Sequence, residues 1–226
     1  MPNSRKILPV VLSFILPALI SCQCPAPNGT SCTKDLLTCC DQQFDAFLNL
    51  TACPGAFSAE PECHRREVEK MYTNGIQGLT KVCAAFGNYA TCLGSAKRDC
   101  TTVRFHMSIG MSPEDAANLA SMYRQFGFAC GAGLEAFANN DNCMSNVFQQ
   151  NNASLEQCRH NFLNGVFQDY PNHCVYFLEY TGCFRLQFQK ASCGTEAAWW
   201  GCEYARQGAR TFMHDCSDQC YAAGLM

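Results

Sequence analysis

The sequence lacks the features that mark several large classes of protein. No run of lysine or arginine exceeds two residues, so the sequence has no basic patch to which a nucleic acid or a polyanionic glycan would bind. Strand-like alternation of apolar and polar residues is nearly absent. Beyond residue 20, no apolar stretch approaches the roughly 18 to 20 residues that a membrane-spanning helix needs. The sequence therefore favours a helical protein without a membrane span, whose partners are proteins or small molecules.

Catalytic and metal-binding patterns are also missing. No Gly-x-Ser-x-Gly elbow occurs, the histidines are scattered, and no pair of cysteine pairs has zinc-ligand spacing. The stretch "TCCDQQFDAF" resembles a phospholipase A2 signature, but Gln43 and Phe44 occupy the places of its His and Asp. His214 and Asp215 imitate that pair without the preceding Cys-Cys. We predict a protein that is not an enzyme and holds no cofactor or metal, with a diverged secreted hydrolase as the least favoured alternative.

Residues 1–22 have the pattern of a secretory signal peptide. Arg5 and Lys6 precede an apolar stretch of 14 residues, and Ser21-Cys22 supplies the small residues expected at a cleavage site. A bacterial lipoprotein box with a lipidated Cys22 is the alternative interpretation. Either one leaves 14 basic and 19 acidic residues, a net formal charge of −5.

Cysteine is the residue that the chain has in excess. Of 19 cysteines, 18 remain once Cys22 is set aside, an even number in about 204 residues. Such a density is typical of secreted disulfide scaffolds. We expect all eighteen to be structural: Cys24, Cys32, Cys39, Cys40, Cys53, Cys63, Cys83, Cys92, Cys100, Cys130, Cys143, Cys158, Cys174, Cys183, Cys193, Cys202, Cys216 and Cys220.

Three glycosylation sequons support an extracellular location. They begin at Asn28, Asn49 and Asn152, and each is used only if the asparagine is exposed.

The chain also contains an internal repeat. "CDQQFDAFLNLTAC" aligns with "CGAGLEAFANNDNC" at an offset of 90 residues, and "CAAFGNYATC" aligns with "CVYFLEYTGC" at an offset of 91. This predicts a signal peptide over 1–22, a cysteine-containing arm over 23–35, and helical disulfide repeats over 36–126 and 127–226. Six cysteines of each copy match in order, which predicts the same disulfide pairing in both. The matched sets are Cys40, Cys53, Cys63, Cys83, Cys92 and Cys100 with Cys130, Cys143, Cys158, Cys174, Cys183 and Cys193.

Hydrophobic periodicity predicts an all-α, disulfide-rich fold of two tandem lobes. An apolar stripe with steps of three and four residues runs from Val68 to Phe86. Ser112 followed by Pro113 predicts a helix start, and Pro171 predicts a break. A final helix is expected from about Thr195.

Two sets of side chains are candidates for binding. Trp200, Arg206 and Arg210 could form an interaction surface, although the favoured interpretation places Trp199 in the core and Trp200 over a lobe junction. A small apolar ligand held between the lobes is the alternative function. Its expected lining is Phe177, Phe184 and Phe188.

The cysteine blocks have a family resemblance. "LLTCCDQQFDAF", "VCAAFGNYATCLGSAKRDC" and "FGFACGAGLEAFANNDNC" resemble the nematode secreted domain named after chondroitin proteoglycan four, over about residues 36–143 with a weaker second copy to about 220. "CGTEAAW" resembles part of a rival nematode cysteine-rich secreted domain. The resemblance implies an extracellular, matrix or eggshell glycoprotein with an all-helical disulfide module. The chain has no Ser-Gly dipeptide, so a chondroitin-bearing role is not expected.

Together these features predict a secreted, disulfide-stabilised glycoprotein. Its expected role is that of an extracellular binding or matrix-associated structural protein whose partners are other extracellular proteins or matrix.

Overall fold

A computed structural model describes residues 24–55, 57–211, 213–217 and 220. The predicted signal peptide lies outside the described residues. Where the chain is described it is helical and contains no strand, with one isolated bridge between Asn28 and Ser31. The all-α prediction is confirmed, and none of the described helices is long and apolar enough to cross a membrane.

Eleven α-helices make up this part of the chain, with short 3₁₀ turns at 72–74, 94–96 and 170–172. The helices are α1 (Lys34–Leu48), α2 (Pro61–Met71), α3 (Gly75–Leu93), α4 (Lys97–Cys100), α5 (Val103–Ser108), α6 (Pro113–Ala129), α7 (Leu134–Asn139), α8 (Asp141–Gln150), α9 (Asn152–Gln168), α10 (His173–Lys190) and α11 (Gly194–Ala209). Helix α1 packs on α3, α10 packs between α9 and α11, and α6 contacts α2, α3, α5 and α11.

The predicted helix boundaries agree with local sequence chemistry. The Ser112 hydroxyl accepts a hydrogen bond of 3.0 Å from the backbone N–H of Asp115, which caps α6. Pro171 lies in the turn that separates α9 from α10, and α11 begins one residue before Thr195. One break was not predicted: the helix that carries the apolar stripe from Val68 to Phe86 is interrupted after Met71. Gly75 there has a φ of 65°, a conformation that favours glycine.

A second interruption lies between α6 and α7. The chain turns over residues 130–133, which separates the two helices. A Cβ atom on Gly133 would lie 2.7 Å from Nε1 of Trp200, a distance that no real side chain tolerates. The glycine therefore allows the turn to pack directly on the Trp200 indole, which donates a hydrogen bond of 2.9 Å to the Gly133 carbonyl.

Nine disulfides use all eighteen cysteines of the predicted set, which confirms their structural role. The bonds are Cys24–Cys39, Cys32–Cys100, Cys40–Cys92, Cys53–Cys63, Cys83–Cys130, Cys143–Cys193, Cys158–Cys183, Cys174–Cys216 and Cys202–Cys220.

The prediction of one pairing shared by both copies is wrong. A copy of the Cys53–Cys63 bond would join Cys143 to Cys158, but those two cysteines bond to Cys193 and Cys183 instead. The reason is geometric, since a disulfide forms only where the packing of the helices brings two Cα atoms within about 4.4 to 6.8 Å. The matched cysteines therefore lie in different surroundings in the two segments.

The two predicted repeats, 36–126 and 127–226, share a single hydrophobic core, whereas two separate lobes would each have a core of their own. Buried apolar side chains form one cluster that extends from Leu36 to Cys216. The predicted boundary at residue 126 falls inside α6, and the Cys83–Cys130 bond crosses it. The internal repeat itself remains a prediction from the sequence.

Candidate binding cleft

An open cleft of about 440 Å³ lies between α2, the first turn of α6, and α9. We call it the α2–α6–α9 cleft. Helix α2 buries Arg65, Val68 and Glu69, and its Glu62 and Arg66 side chains line the cleft. The Ser112 cap fixes the start of α6, where acidic side chains favour the positive end of the helix dipole. The charged side chains that line the cleft are Glu62, Arg66, Glu114, Asp115, Glu156 and Arg159.

A buried ion pair joins the two segments of the chain beside this cleft. Nη2 of Arg159 donates to both carboxylate oxygens of Glu69, at 2.5 Å to Oε2, and the two side chains are 3 % and 0 % exposed. The hydroxyl of Tyr204 donates a further hydrogen bond of 2.9 Å to Glu69 Oε1. The guanidinium of Arg159 also lies 5.3 Å from the centre of the Phe184 ring.

The charges of this pair are stabilised by each other. Burial lowers the pKa of Arg159, but Glu69 together with Tyr180, Glu62 and Tyr204 outweighs that effect and the pKa is raised. Burial, with the same carboxylate, raises the pKa of Tyr204 well above its ordinary value, so its hydroxyl remains a donor. Arg159 is therefore a permanent cation at the cleft.

The hydrogen-bonding capacity of Arg159 is only partly used. Its Nε and Nη1 atoms are buried and have no hydrogen-bond partner among the described residues. An unpaired buried donor costs roughly 1 to 3 kcal/mol, and more when the group is charged. An acceptor supplied from the cleft would satisfy these donors.

The rim of the cleft has unpaired charges as well. Within the described part of the chain, Glu114, Glu156 and Arg66 make no ion pair or hydrogen bond. Asp115 accepts a hydrogen bond of 2.7 Å from the Ser112 hydroxyl, and Glu62 lies 3.8 Å from Arg65. The rim is thus mainly negative and has carboxylates available to a cation.

A second polar network lies beneath α1, in the stretch that resembles a phospholipase. Asp41 accepts hydrogen bonds from the Tyr89 hydroxyl at 2.9 Å and from the Ser58 backbone N–H at 3.0 Å. Tyr89 and Tyr123 share a hydrogen bond of 2.8 Å. Burial raises the pKa of Asp41 to about 6. All three side chains are buried, so this network links α1, α3 and α6 through hydrogen bonds inside the core.

An imidazole next to an aspartate was missed in the sequence. His64 Nε2 lies 3.1 Å from Asp45 Oδ1, and its Nδ1 lies 2.9 Å from the Glu60 carbonyl. Burial by itself lowers the pKa of His64, but the acceptors around it raise the pKa overall. With no accessible surface, His64 is a structural residue rather than a general base.

The predicted interaction surface is corrected by the structure. Trp200 has no accessible surface and contacts the rings of Phe137, Phe148 and Tyr204, so it is a core residue. Burying so large an apolar side chain among other aromatic rings is more favourable than leaving it exposed to water. Arg206 pairs with Glu203 at 2.7 Å, and Arg210 is only half-buried at the C-terminal end of α11.

The expected lining of an apolar ligand cavity is also corrected. Phe177, Phe184 and Phe188 have no accessible surface. Phe188 packs on the Trp200 ring, and Phe184 packs on the rings of Tyr180 and Tyr204. Neighbouring side chains fill the space around these rings, because a protein core is closely packed.

Two predicted features lie at the surface. His214 is exposed, and its neighbour Asp215 accepts from Nε2 of His173 at 3.0 Å. Of the sequon asparagines, Asn28 and Asn49 are exposed and Asn152 is half-buried at the start of α9.

Atoms of metal-ligand type converge at two places in the described part of the chain. One place has Cys24, Cys40 and Cys92, and the other has His173, Cys174 and Cys216. All of these cysteines are in disulfides, so neither place offers the thiolates that a metal would bind.

Comparisons of the chain with protein-family models, with curated proteins and with solved structures gave no match. The resemblance to the nematode cysteine-rich domains therefore remains a prediction from the cysteine blocks.

Proposed function

We propose that the protein is a secreted, disulfide-stabilised glycoprotein that acts outside the cell as a binding protein, without enzymatic activity. The nine disulfides support an oxidising compartment, since such bonds rarely persist in a reducing cytosol. The proposal assigns the α2–α6–α9 cleft as the binding site. A matrix-associated structural role is compatible with the same rigid scaffold.

The observation that carries the binding function is the state of Arg159. A cation that is 3 % exposed, with two unpaired donor nitrogens, lines a cleft whose rim has unpaired carboxylates. In small-molecule sites, a few polar groups that converge on a cleft of several hundred cubic ångströms fix the orientation of the ligand. The disulfides and the shared core hold these groups in place before a ligand arrives, which reduces the entropic cost of binding.

Blocking the cleft tests this proposal. Ala153 is exposed and lines the cleft, so Ala153→Trp should fill it without disturbing the core. We expect that compounds from a small-molecule panel that raise the melting temperature of the natural chain will have no effect on this variant. Ala132→Trp, at an exposed position in the turn before α7, is the matched control and should respond like the natural chain. If no compound distinguishes the two variants, the cleft is not a binding site.

Secretion and glycosylation need their own measurement. Expression of the full chain in a eukaryotic cell should release protein into the medium with residues 1–22 removed. A glycosidase that removes N-linked chains should reduce its mass, and Asn28→Gln and Asn49→Gln should each remove one glycan if these exposed sites are used. Protein retained in the cytosol with reduced thiols would contradict the proposed location.

A further inference from the structure

We propose that the α2–α6–α9 cleft binds a small basic zwitterion, a basic amino acid or the free carboxyl end of a short basic peptide. The ligand carboxylate meets Arg159, and its cationic side chain meets the rim carboxylates. This inference rests on the proposed binding function and names the class of ligand.

The carboxylate end is assigned from the unpaired donors of Arg159. A guanidinium donates charge-assisted hydrogen bonds to carboxylates, which are stronger than hydrogen bonds between neutral groups. Glu69 accepts only from Nη2, which leaves Nε and Nη1 to a second acceptor. Phe184 lies against the guanidinium and Arg159 lines the cleft, so an added acceptor would approach this group from the cleft.

The cationic end is assigned from the charge balance of the lining. Four carboxylates line the cleft against two guanidinium groups, and the charge of Arg159 is already balanced by Glu69. Glu114 and Glu156 are on different helices, α6 and α9, and neither has a partner of its own in the described chain. A ligand with net positive charge would neutralise this excess, whereas a neutral amino acid would leave it uncompensated.

The cleft also accommodates the aliphatic part of such a ligand. Ala153 and Leu163, both on α9, add apolar surface to the lining. A volume of about 440 Å³ accepts one basic residue or a short peptide end and excludes a folded domain. The three methylene groups of an arginine side chain would gain from contact with this surface.

Calorimetric titration of the full-length secreted protein tests the assignment with three probes. L-arginine carries all the proposed groups, agmatine lacks the carboxylate, and Gly-Gly-L-arginine presents the same groups as a peptide end. We expect L-arginine to bind at least tenfold more tightly than agmatine, because one charge-assisted interaction is lost. Tighter binding of the tripeptide than of the free amino acid would identify a peptide end as the source of the ligand. Equal affinity for L-arginine and agmatine would overturn the role of Arg159.

Two variants separate the two ends of the site. Glu114→Gln with Glu156→Gln should weaken L-arginine binding about tenfold, while Glu135→Gln, an exposed residue of α7 outside the cleft, should leave it unchanged. Arg159→Lys keeps a positive charge opposite Glu69 but loses the free Nε and Nη1 donors, so it should bind L-arginine no better than agmatine. A folded Arg159→Lys protein that still prefers L-arginine would contradict the assignment.

The outcomes also distinguish this inference from the proposed function. If Ala153→Trp abolishes binding of some other compound and none of the three probes binds, the cleft is a binding site for another ligand class and this inference fails alone. If neither the panel nor the probes respond to blocking the cleft, both proposals fail.

Discussion

Arg159 and Glu69 are 90 residues apart in the sequence and form a buried ion pair that joins α9 to α2. Their partners come from still further along the chain, since Tyr204 of α11 donates to the same carboxylate. One polar contact thus holds three helices from both segments. It also fixes the orientation of the guanidinium that lines the cleft.

Breaking this pair should be costly. We expect Arg159→Met to lower the free energy of unfolding by about 3 to 5 kcal/mol, because the Glu69 carboxylate is left buried without its counter-charge. Replacing both partners, with Glu69→Leu and Arg159→Met, should restore most of the loss, since two apolar side chains leave no buried charge. Denaturant titration of the oxidised protein measures both values.

A surface pair provides the control. Lys70 and Glu67 are 3.8 Å apart, with 72 % and 27 % of their side chains exposed. Lys70→Met should change the free energy of unfolding by less than about 1 kcal/mol, because exposed pairs contribute little. If Arg159→Met lowered the free energy of unfolding by as little as Lys70→Met, the buried pair would not hold the helices together.

His106 should make stability depend on pH. The ring is fully buried, neither nitrogen has a partner in the described chain, and burial lowers its pKa to about 4. The unfolded chain therefore binds a proton before the folded one does as the pH falls below about 6.5. We expect a contribution that is fully present above pH 6.5 and is lost by pH 4, amounting to about 3 kcal/mol. His106→Phe should remove this loss, measured as unfolding free energy against pH relative to the natural chain.

Asp41 should act in the opposite direction over the same range. Its pKa is raised by burial to about 6 in the folded protein, so the folded state binds a proton more readily than the unfolded chain does. Its effect favours folding below pH 3.8 and is lost as the pH rises through 6. The difference in stability between Asp41→Asn and the natural chain should therefore shift towards the variant as the pH rises from 4 to 6. A difference that is independent of pH would show that the carboxyl titrates normally.

Comparison with the sequence shows which interactions are local. Cap chemistry at Ser112 and the break at Pro171 depend on neighbouring residues, so both were predictable. The Gly75 break was missed because the apolar stripe continues across it in register. The cleft could not be predicted, since Glu69 and Arg159 resemble ordinary surface charges until the folded chain buries them against each other. The position of Trp200 was also misjudged, because its burial depends on contacts between helices that are far apart in the sequence.

The disulfide between Cys83 and Cys130 provides a final test, because it crosses the predicted boundary between the repeats. A peptide map under non-reducing conditions should recover this bond together with Cys143–Cys193, which has no equivalent in the first segment. Replacing Cys83 and Cys130 by serine should lower the free energy of unfolding by about 4 kcal/mol, since the bond closes a long loop of the unfolded chain. Replacing Cys53 and Cys63, which are 10 residues apart, should cost roughly 3 kcal/mol by the same reasoning. A map in which Cys83 bonds within 36–126 and its counterpart Cys174 bonds equivalently within 127–226 would instead support two independently cross-linked repeats.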